Sequence, residues 1–493
     1  MKTINKSHFL FIFSIFLVFI SMSNILTAKD NDQKKETVEK NQPKKEKTKE
    51  ALVTKDPLTL KSEEVLNNLA KLRGLIKKRD IDVAAMTREK LYEYMLKDFE
   101  KQVIDSDIKK LDLLGGRIGI QPENVDTKNV FLNLLKKGVQ GFYDPTSKKY
   151  YIIRQSNKKK YDEATIAHEL THALQDQYFD LLRLPIDNHD NSDMTTALKC
   201  IIEGDAKFTE LQYMKIYLNQ DHDTHWLGDK NPSPIFLINK PGGTHIDPKK
   251  YNMDNNKFFE FLLGKSLMYS YYQGVRFVQK IFNHGGWDAV NHLYEDWPLS
   301  TEQIIHPEKY LDKDQRDDPT EINSKKFIDW LDNEYNYVFS DVMGELAIDR
   351  LIINFFPRSE INAEDVGAGW EGDRLIGFIN KKTKAPAYTW LSLWETEQDA
   401  KEFEAALTKL YQKHFSQPDA NTTYPTAVVA VKGDSISWIQ RQGKRVIICD
   451  GEDVKATQIL VKQALSKTTI IETKKNNFWT FKATPEEKKE DPK

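Results

Sequence analysis

Apolar residues recur at intervals of three and four positions through much of this chain, which is the period of an amphipathic helix. The pattern predicts a helical lead-in over residues 56–137 and further helices over 195–218, 258–294 and 327–356. Helices of this kind bury their apolar faces by packing against one another. The larger part of the chain is therefore predicted to be mainly helical.

The pattern changes after residue 366, where short apolar runs are separated by turn residues. Strands are predicted over 375–379, 387–394, 427–431, 435–440 and 445–448, with helices over 397–415 and 454–465. This order of elements predicts a C-terminal α/β sandwich module over residues 366–480. The whole chain is therefore predicted to belong to the α+β class, as a mainly helical domain with a small β-sheet plus this module.

The N-terminus resembles a secretory signal peptide, because Lys2 and Lys6 precede an apolar run over residues 9–20. The segment covers residues 1–28, with cleavage after Ser23 or Ala28, and an uncleaved membrane anchor is the alternative. A Lys/Glu-rich spacer over 29–55 and a tail over 481–493 contain few apolar residues and are predicted to be disordered. The protein is therefore expected outside the cytoplasm, as a secreted, periplasmic or envelope-associated protein.

Charge and cysteine content exclude two classes of protein. The formal net charge of −2 provides no basic field of the kind that binds nucleic acid. The chain has two cysteines, Cys200 and Cys449, so a disulfide framework is excluded. Both lie in apolar runs, and two buried thiols are expected.

The most informative motif is His168-Glu169-Leu170-Thr171-His172, which lies in a stretch with a helical pattern. On a helix, residues four apart share one face, so both imidazoles can bind one Zn²⁺ and Glu169 can reach a water beside it. Apolar residues occupy the opposite arc, and the polar arc is expected to face a cleft. Asp162 is predicted to be the N-cap of this helix.

A catalytic zinc site needs a third protein ligand and an open fourth position. Glu203 is the best candidate, because it lies on the next predicted helix. Gly204 and Ala206 are small, which would let that helix pack closely on the metal-binding helix. Glu210 lies on a similar face and is the alternative ligand.

Other polar residues are candidates for supporting roles. Glu169 is the candidate general base. Asp176 is a candidate to hold the tautomer of a ligand histidine, with an ion pair or a surface carboxylate as the alternative. The candidate donors to a developing oxyanion are Tyr269, Tyr271, Tyr272, His306 and Arg374, among which His306 and Tyr269 are preferred.

A β-hairpin is predicted just before the metal-binding helix. Strand-like runs over 139–143 and 149–154 flank the turn residues Asp144 and Pro145. One interpretation is a sheet edge on which an extended substrate binds as an added strand. The other is an ordinary structural hairpin, and the sequence does not separate the two.

Several segments, taken in order, resemble a family of poorly characterised bacterial secreted proteins that are identified as gluzincin-type zinc metallopeptidases. They are HELTHALQDQ at 168–177, GFYDP at 141–145, EGDA at 203–206, STEQIIHPEKY at 300–310, GWEGDR at 369–374 and WETEQDA at 394–400. The resemblance covers residues 58–465. It implies a zincin-like catalytic domain over 138–365, with His168, His172 and Glu203 as zinc ligands and Glu169 as base.

The leading hypothesis is a zinc-dependent metallopeptidase whose partner is a peptide or protein substrate. No nucleic acid is expected to bind, and membrane contact is expected only if the N-terminal segment stays uncleaved. The alternatives are a catalytically inactive metal-binding or structural envelope protein and a zinc hydrolase of a cell-wall amide. The intact Glu169 argues against the inactive protein, because a scaffold has no need of that carboxylate.

Overall fold

The computed structural model describes residues 57–102, 112, 114–122, 124–153, 162–186, 188, 190–220, 253–312, 316–414, 425–432 and 435–471. The predicted signal peptide, spacer and C-terminal tail lie outside these residues. Within the described ranges, no helix combines the length with the apolar character that a membrane span requires.

A small three-stranded sheet lies beside the helices of the N-terminal half. The elements are α1 (Pro57–Arg73), β1 (Asp82–Met86), α2 (Arg88–Gln102), α3 (Thr127–Gly138), β2 (Gly141–Asp144) and β3 (Lys149–Ile153). The strand order is β1-β3-β2, with β1 parallel and β2 antiparallel to β3. The predicted hairpin is confirmed, and β2 forms one edge of this sheet.

Strand β1 interrupts the lead-in, so the prediction of a helical stretch is wrong over Asp82–Met86. Ala84 and Ala85 in the middle of this segment are good helix formers, and the segment has no clear alternation. Its strand conformation comes from parallel pairing with Lys149–Ile153. Tertiary pairing overrides the local preference here.

Three long helices form the centre of the N-terminal half. They are α4 (Glu163–Phe179), α5 (Ser192–Tyr217) and α6 (Asn255–His292). Helix α5 packs against both α4 and α6, and their shared core includes the fully buried Leu170, Ile201 and Val278. The helices predicted over 195–218 and 258–294 are confirmed, although Gly285 and Gly286 break the helical conformation near the end of α6.

Helices α5 and α6 approach each other most closely where two glycines meet. A Cβ atom on Gly204 would lie 2.3 Å from the carbonyl oxygen of Gly274, and one on Gly274 would lie 2.2 Å from the carbonyl oxygen of Cys200. Gly204 therefore admits α6 rather than α4, the helix that contains His168 and His172, which corrects the sequence expectation. This contact determines the distance between α5 and α6 beside Glu203.

Replacement of Gly204 by alanine is expected to destabilise the fold by about 1–3 kcal/mol, because two backbones must separate to admit the methyl group. The free energy of unfolding from urea titration measures this. Gly264→Ala on α6 is the matched control, since its Cβ would meet Leu134 Cδ1 at an ordinary 3.9 Å. The control is expected to be neutral or stabilising by up to ~1 kcal/mol, and equal destabilisation by both changes would contradict the close-contact explanation.

The C-terminal half is built on a six-stranded antiparallel sheet. It is preceded by α7 (Thr301–Ile305), α8 (Glu308–Leu311), β4 (Glu321–Asn323) and α9 (Lys325–Leu331). The strands are β5 (Tyr335–Asp341), β6 (Trp370–Asn380), β7 (Pro386–Trp394), β8 (Val428–Lys432), β9 (Ser435–Gln442) and β10 (Arg445–Gly451). Their order is β5-β6-β7-β10-β9-β8.

Helices cover both faces of this sheet. The helices are α10 (Gly344–Phe355), α11 (Ala363–Gly367), α12 (Glu397–His414) and α13 (Val454–Lys467), and the last strand, β11 (Thr469–Ile471), pairs with β4. Helices α10, α11 and α12 share one core with Trp390, while α9 and α13 share a second core with Phe378 on the other face. The C-terminal part is thus an α/β sandwich, and the chain as a whole is α+β.

Every strand and helix predicted for the C-terminal module is present, from β6 to α13. The helix predicted over 327–356 is wrong in its middle, where Tyr335–Asp341 forms β5 and pairs antiparallel with β6. Aromatic and β-branched residues in Tyr335–Asp341 favour a strand. Because β5 belongs to this sheet, the sheet begins before the boundary predicted at residue 366. The two cysteines are both buried free thiols, as expected.

Candidate metal centre

Helix α4, which carries His168 and His172, begins at a capped residue. Asp162 accepts a hydrogen bond from the amide of Ala164 at 3.3 Å and one from the hydroxyl of Thr165 at 2.9 Å. The first bond satisfies an amide that the helix itself leaves without an acceptor. The N-cap prediction is confirmed, and the cap determines where the turns that carry the two histidines begin.

Helix α4 is buried on all sides. Residues 164–177 are all buried, and His168, Glu169 and His172 are at most 1% exposed. The expectation that their arc faces a cleft is therefore wrong for this structure. Polar side chains of α5 and a backbone amide of β2 pack on that arc and provide its hydrogen-bond partners.

Three side chains from α4 and α5 converge on one point. His168 Nε2 lies 3.2 Å and His172 Nε2 lies 3.6 Å from the same oxygen, Oε2 of Glu203. One ligand atom from each of the three residues lies within 4.8 Å of the other two. The Oε1 atom of Glu203 is buried and accepts no hydrogen bond within the described part of the chain. The structure thus brings together the three residues predicted as ligands.

The other nitrogen of each imidazole is held by a separate partner. His168 Nδ1 lies 3.2 Å from Oε2 of Glu210, so Glu210 faces the far side of the ring from Glu203. His172 Nδ1 lies 2.9 Å from Oε1 of Gln175. These contacts orient both Nε2 atoms toward Glu203, as outer partners of metal ligands do. Glu210, the alternative ligand, has this supporting position.

Gln175 is a site residue that the sequence interpretation missed. Its amide nitrogen donates to the carbonyl oxygen of Ile202 and to Oδ2 of Asp205, both at 3.0 Å. This leaves its oxygen directed at His172. The signal in the sequence is its position three residues after His172, which puts both side chains on one helical face.

Carboxylates also control the protonation of His168 in this structure. Burial alone would lower its pKa, but hydrogen bonds with Glu203 and Glu210 raise the pKa of His168 to about 10. A buried pair of carboxylates thus favours positive charge at this ring. A cation bound among these groups would satisfy the same negative charge.

Glu169 lies between the histidines and faces the edge strand. Its Oε2 accepts a hydrogen bond from the backbone amide of Tyr143 on β2 at 3.0 Å. Burial raises the pKa of Glu169 to about 7, against the opposing effect of the neighbouring imidazoles. The side chain is therefore held by β2, a strand of the hairpin that the sequence predicts just before helix α4.

Tyr271 on α6 lies beside the ligand set. Its ring is stacked on that of His168, with ring centroids 6.3 Å apart. Burial raises the pKa of the Tyr271 hydroxyl well above its usual value, and the charge and hydrogen bond of Glu203 raise it further. Tyr271 thus presents a protonated hydroxyl at Glu203. The preferred tyrosine, Tyr269, lies on the same helix, and its side chain falls outside the described residues.

Asp176 has basic partners instead of a histidine. Its carboxylate accepts hydrogen bonds from Tyr143 at 2.7 Å and from Arg79 and Lys148, each at 2.9 Å. The suggested role of holding a histidine tautomer is therefore wrong, and the ion-pair alternative is correct. Because Tyr143 also donates its amide to Glu169, Asp176 anchors the residue that holds Glu169.

The remaining oxyanion candidates have partners of their own. His306 Nε2 lies 2.9 Å from Glu345 on α10. Arg374 donates to backbone carbonyls of Asp190 and Ile322, and Tyr272 lies against the guanidinium of Arg276. The preference for His306 is not supported, because its contacts join α7 to α10.

A second group of side chains has the spacing of a metal site but holds a lysine. Glu302, Asp317 and Glu395 offer carboxylate oxygens within 4.8 Å of one another. The ammonium of Lys309 lies 2.7 Å from Glu302 and 3.1 Å from Asp317, and also contacts Glu395. This ion-pair network accounts for several residues of the 300–310 segment, which joins the two halves of the chain.

Comparison with known proteins finds a family model that matches part of the chain. A family model described as "Domain of unknown function (DUF8575)" matches residues 334–460. The match covers all six strands of the large sheet and ends within α13. No curated protein and no solved structure matches this chain. The helices α4 and α5 lie outside the matched residues.

Proposed function

We propose that this protein is a zinc-dependent metallopeptidase that acts outside the cytoplasm. The observation that carries the proposal is the convergence of His168 Nε2, His172 Nε2 and the Glu203 carboxylate beside the Glu169 side chain. Two imidazoles and one carboxylate are the donor set of many catalytic zinc sites. The signal-peptide-like residues 1–28 support an extracytoplasmic location.

The residues present fit a zinc ion. Both Nε2 atoms face Glu203, and its buried Oε1 accepts no hydrogen bond in the described part of the chain. Three protein ligands leave a fourth position for water or substrate. When bound there, zinc would lower the pKa of a water molecule and polarise the carbonyl of a peptide bond.

Glu169 is the proposed general base. It accepts a proton from the attacking water and delivers it to the nitrogen of the leaving amine, so the C–N bond breaks with a neutral leaving group. The amide of Tyr143 restricts the position of its carboxylate. Tyr271 is the proposed donor to the developing oxyanion, because its protonated hydroxyl lies beside Glu203.

The edge strand β2 supports a peptide as substrate. The amide of Ile153 donates to the carbonyl of Gln140, so these two residues form a hydrogen-bonded pair. Hydrogen-bonded and non-hydrogen-bonded pairs alternate along antiparallel strands. Gly141 and Tyr143 therefore direct their backbone groups away from β3. The Tyr143 amide reaches Glu169, which lies on that side of β2. An extended peptide that pairs with Gly141 would therefore pass next to the base.

Metal removal tests this proposal. Purified protein is expected to contain about one zinc ion per chain, measured by atomic absorption. Dialysis against 1,10-phenanthroline is expected to reduce cleavage of a peptide library to background, and added zinc is expected to restore it. Mass spectrometry of the library products measures both effects.

The other outcomes are distinct from one another. Bound zinc without cleavage of any peptide would overturn the proposal in favour of an inactive metal-binding protein. Cleavage of murein fragments alone would overturn it in favour of a cell-wall amide hydrolase. Peptide cleavage that persists without metal would remove the zinc-dependent mechanism.

A further inference from the structure

Two acidic side chains of α10 meet in a buried position away from the metal centre. Glu345 and Asp349 are four residues apart on one face of the helix and are 1% and 0% exposed. Gly367 at the end of α11 lies against both of them. A Cβ atom there would be 2.4 Å from Oδ1 of Asp349 and 3.0 Å from Cγ of Glu345.

These carboxylates lack hydrogen-bond donors to an unusual degree. Oε1 of Glu345 is bonded to His306 Nε2 at 2.9 Å. Oε2 of Glu345 and both oxygens of Asp349 accept no hydrogen bond in the part of the chain that the structure describes. Three carboxylate oxygens from two side chains are thus buried without a donor, although buried polar groups are normally paired.

Neighbouring charges compensate for this only in part, since Arg350 opposes the rise in the pKa of Asp349 and His306 pairs with Glu345. Arg350 is the nearest basic residue along the helix, but its guanidinium donates to the Ser270 hydroxyl. Glu364 adds a further negative charge to the environment of Asp349. Burial raises the pKa of Asp349 well above its usual value, and the charge of Glu345 raises it further. A buried charge of this kind is retained when a proton or a bound cation neutralises it.

We propose that Glu345 and Asp349 bind a hard divalent cation, Ca²⁺ or Mg²⁺. Carboxylate oxygens are the ligands these ions prefer, and Mg²⁺ sites commonly use one or two carboxylates with water completing the shell. His306 holds one oxygen of Glu345 and leaves the other directed elsewhere. Gly367 lets the backbone of α11 lie against Asp349, because a Cβ atom there would be 2.4 Å from its Oδ1.

This site differs in chemistry and position from the zinc centre. Its available ligand atoms are all oxygens, whereas the zinc centre contributes two imidazole nitrogens. Glu345 and Asp349 lie within the residues matched by the DUF8575 model, whereas His306, the residue that follows α7, lies outside them. A bound cation would therefore stabilise the contact between α7 and the sandwich.

The test compares wild type, Asp349→Asn and Glu364→Gln, all with zinc present. Melting temperature is measured in millimolar CaCl₂ or MgCl₂ and in NaCl of equal ionic strength, and stoichiometry is measured by equilibrium dialysis. For wild type, one of the divalent ions is expected to raise the melting temperature by roughly 2 °C or more and to bind about one per chain. Asp349→Asn is expected to lose both responses.

Glu364→Gln is the matched control, because it removes a nearby negative charge from a partly exposed side chain that pairs with Arg358. It is expected to retain both responses. The proposal is overturned if wild type shows neither response to Ca²⁺ or Mg²⁺, or if Asp349→Asn responds as wild type does. Equal losses in Asp349→Asn and Glu364→Gln would also overturn it, since they would indicate a general charge effect. Zinc content in the same samples reports on the metal centre independently.

Discussion

Replacement of Glu169 by glutamine is expected to abolish peptide hydrolysis while zinc remains bound. The amide cannot accept the proton of the attacking water, and a positioned base contributes about 10²–10⁴-fold to the rate. Glutamine has nearly the same shape, and its oxygen can still accept the Tyr143 amide. Cleavage rates on the peptides that wild type hydrolyses, with zinc content by atomic absorption, measure the two effects separately.

Glu163→Gln provides the matched control for this experiment. Glu163 lies on the same helix and contacts Tyr213 and Lys61 rather than the ligand set. It is expected to retain both zinc and activity. Undiminished cleavage by Glu169→Gln would remove Glu169 from the mechanism, and equal loss in both variants would indicate general damage to α4.

The sequence predicted the C-terminal sandwich well because its signals are local. From β6 to α13, each apolar run is short and is ended by turn residues. The period of the apolar residues and the positions of the turn residues therefore indicate the same bounds for each element. Strands β1 and β5 were missed for the opposite reason. Ala84 and Ala85 carry no strand signal, and Tyr335–Asp341 stands between two segments with a strong helical period. Their partners are distant in the chain, so pairing decides their conformation.

The candidate site was predictable where one helix determines the geometry. Four-residue spacing places His168 and His172 on one face, and the structure brings Glu203 of α5 to the same point. The choice among tyrosines depended on how α6 rotates about its axis. Contact between Gly204 and Gly274 sets that packing and leaves Tyr271 beside Glu203. The hydrophobic pattern of α6 alone contains no information about this rotation.

The burial of the site was not predictable from its pattern. A polar arc on a helix usually indicates a face that is exposed to solvent. In this structure the polar arc of α4 is covered by hydrogen-bonded groups of α5 and β2. The candidate ligand residues His168, His172 and Glu203 are at most 3% exposed. Water exclusion strengthens electrostatic interactions among them. It also means that a peptide bond can reach the ligands only when covering groups move.

Removal of Glu203 is expected to weaken zinc binding more than removal of Glu210. Glu203 faces both Nε2 atoms, whereas Glu210 contacts only the Nδ1 atom of His168 among the two rings. Loss of an outer partner typically costs about 10–100-fold in metal affinity, and loss of a ligand is expected to exceed this range. We therefore expect Glu203→Ala to lose more than about 100-fold and Glu210→Ala to lose about 10–100-fold.

Zinc affinity from competition with a fluorescent chelator distinguishes the two roles. Both changes remove a buried carboxylate from the same helix, so they form a matched pair, and thermal unfolding of the zinc-free proteins shows whether each still folds. A greater loss in Glu210→Ala would assign Glu210 as the ligand and Glu203 as its support. Unchanged affinity in both Glu203→Ala and Glu210→Ala would mean that His168 and His172 bind metal without either carboxylate of α5, and the proposed third ligand would have to come from another element.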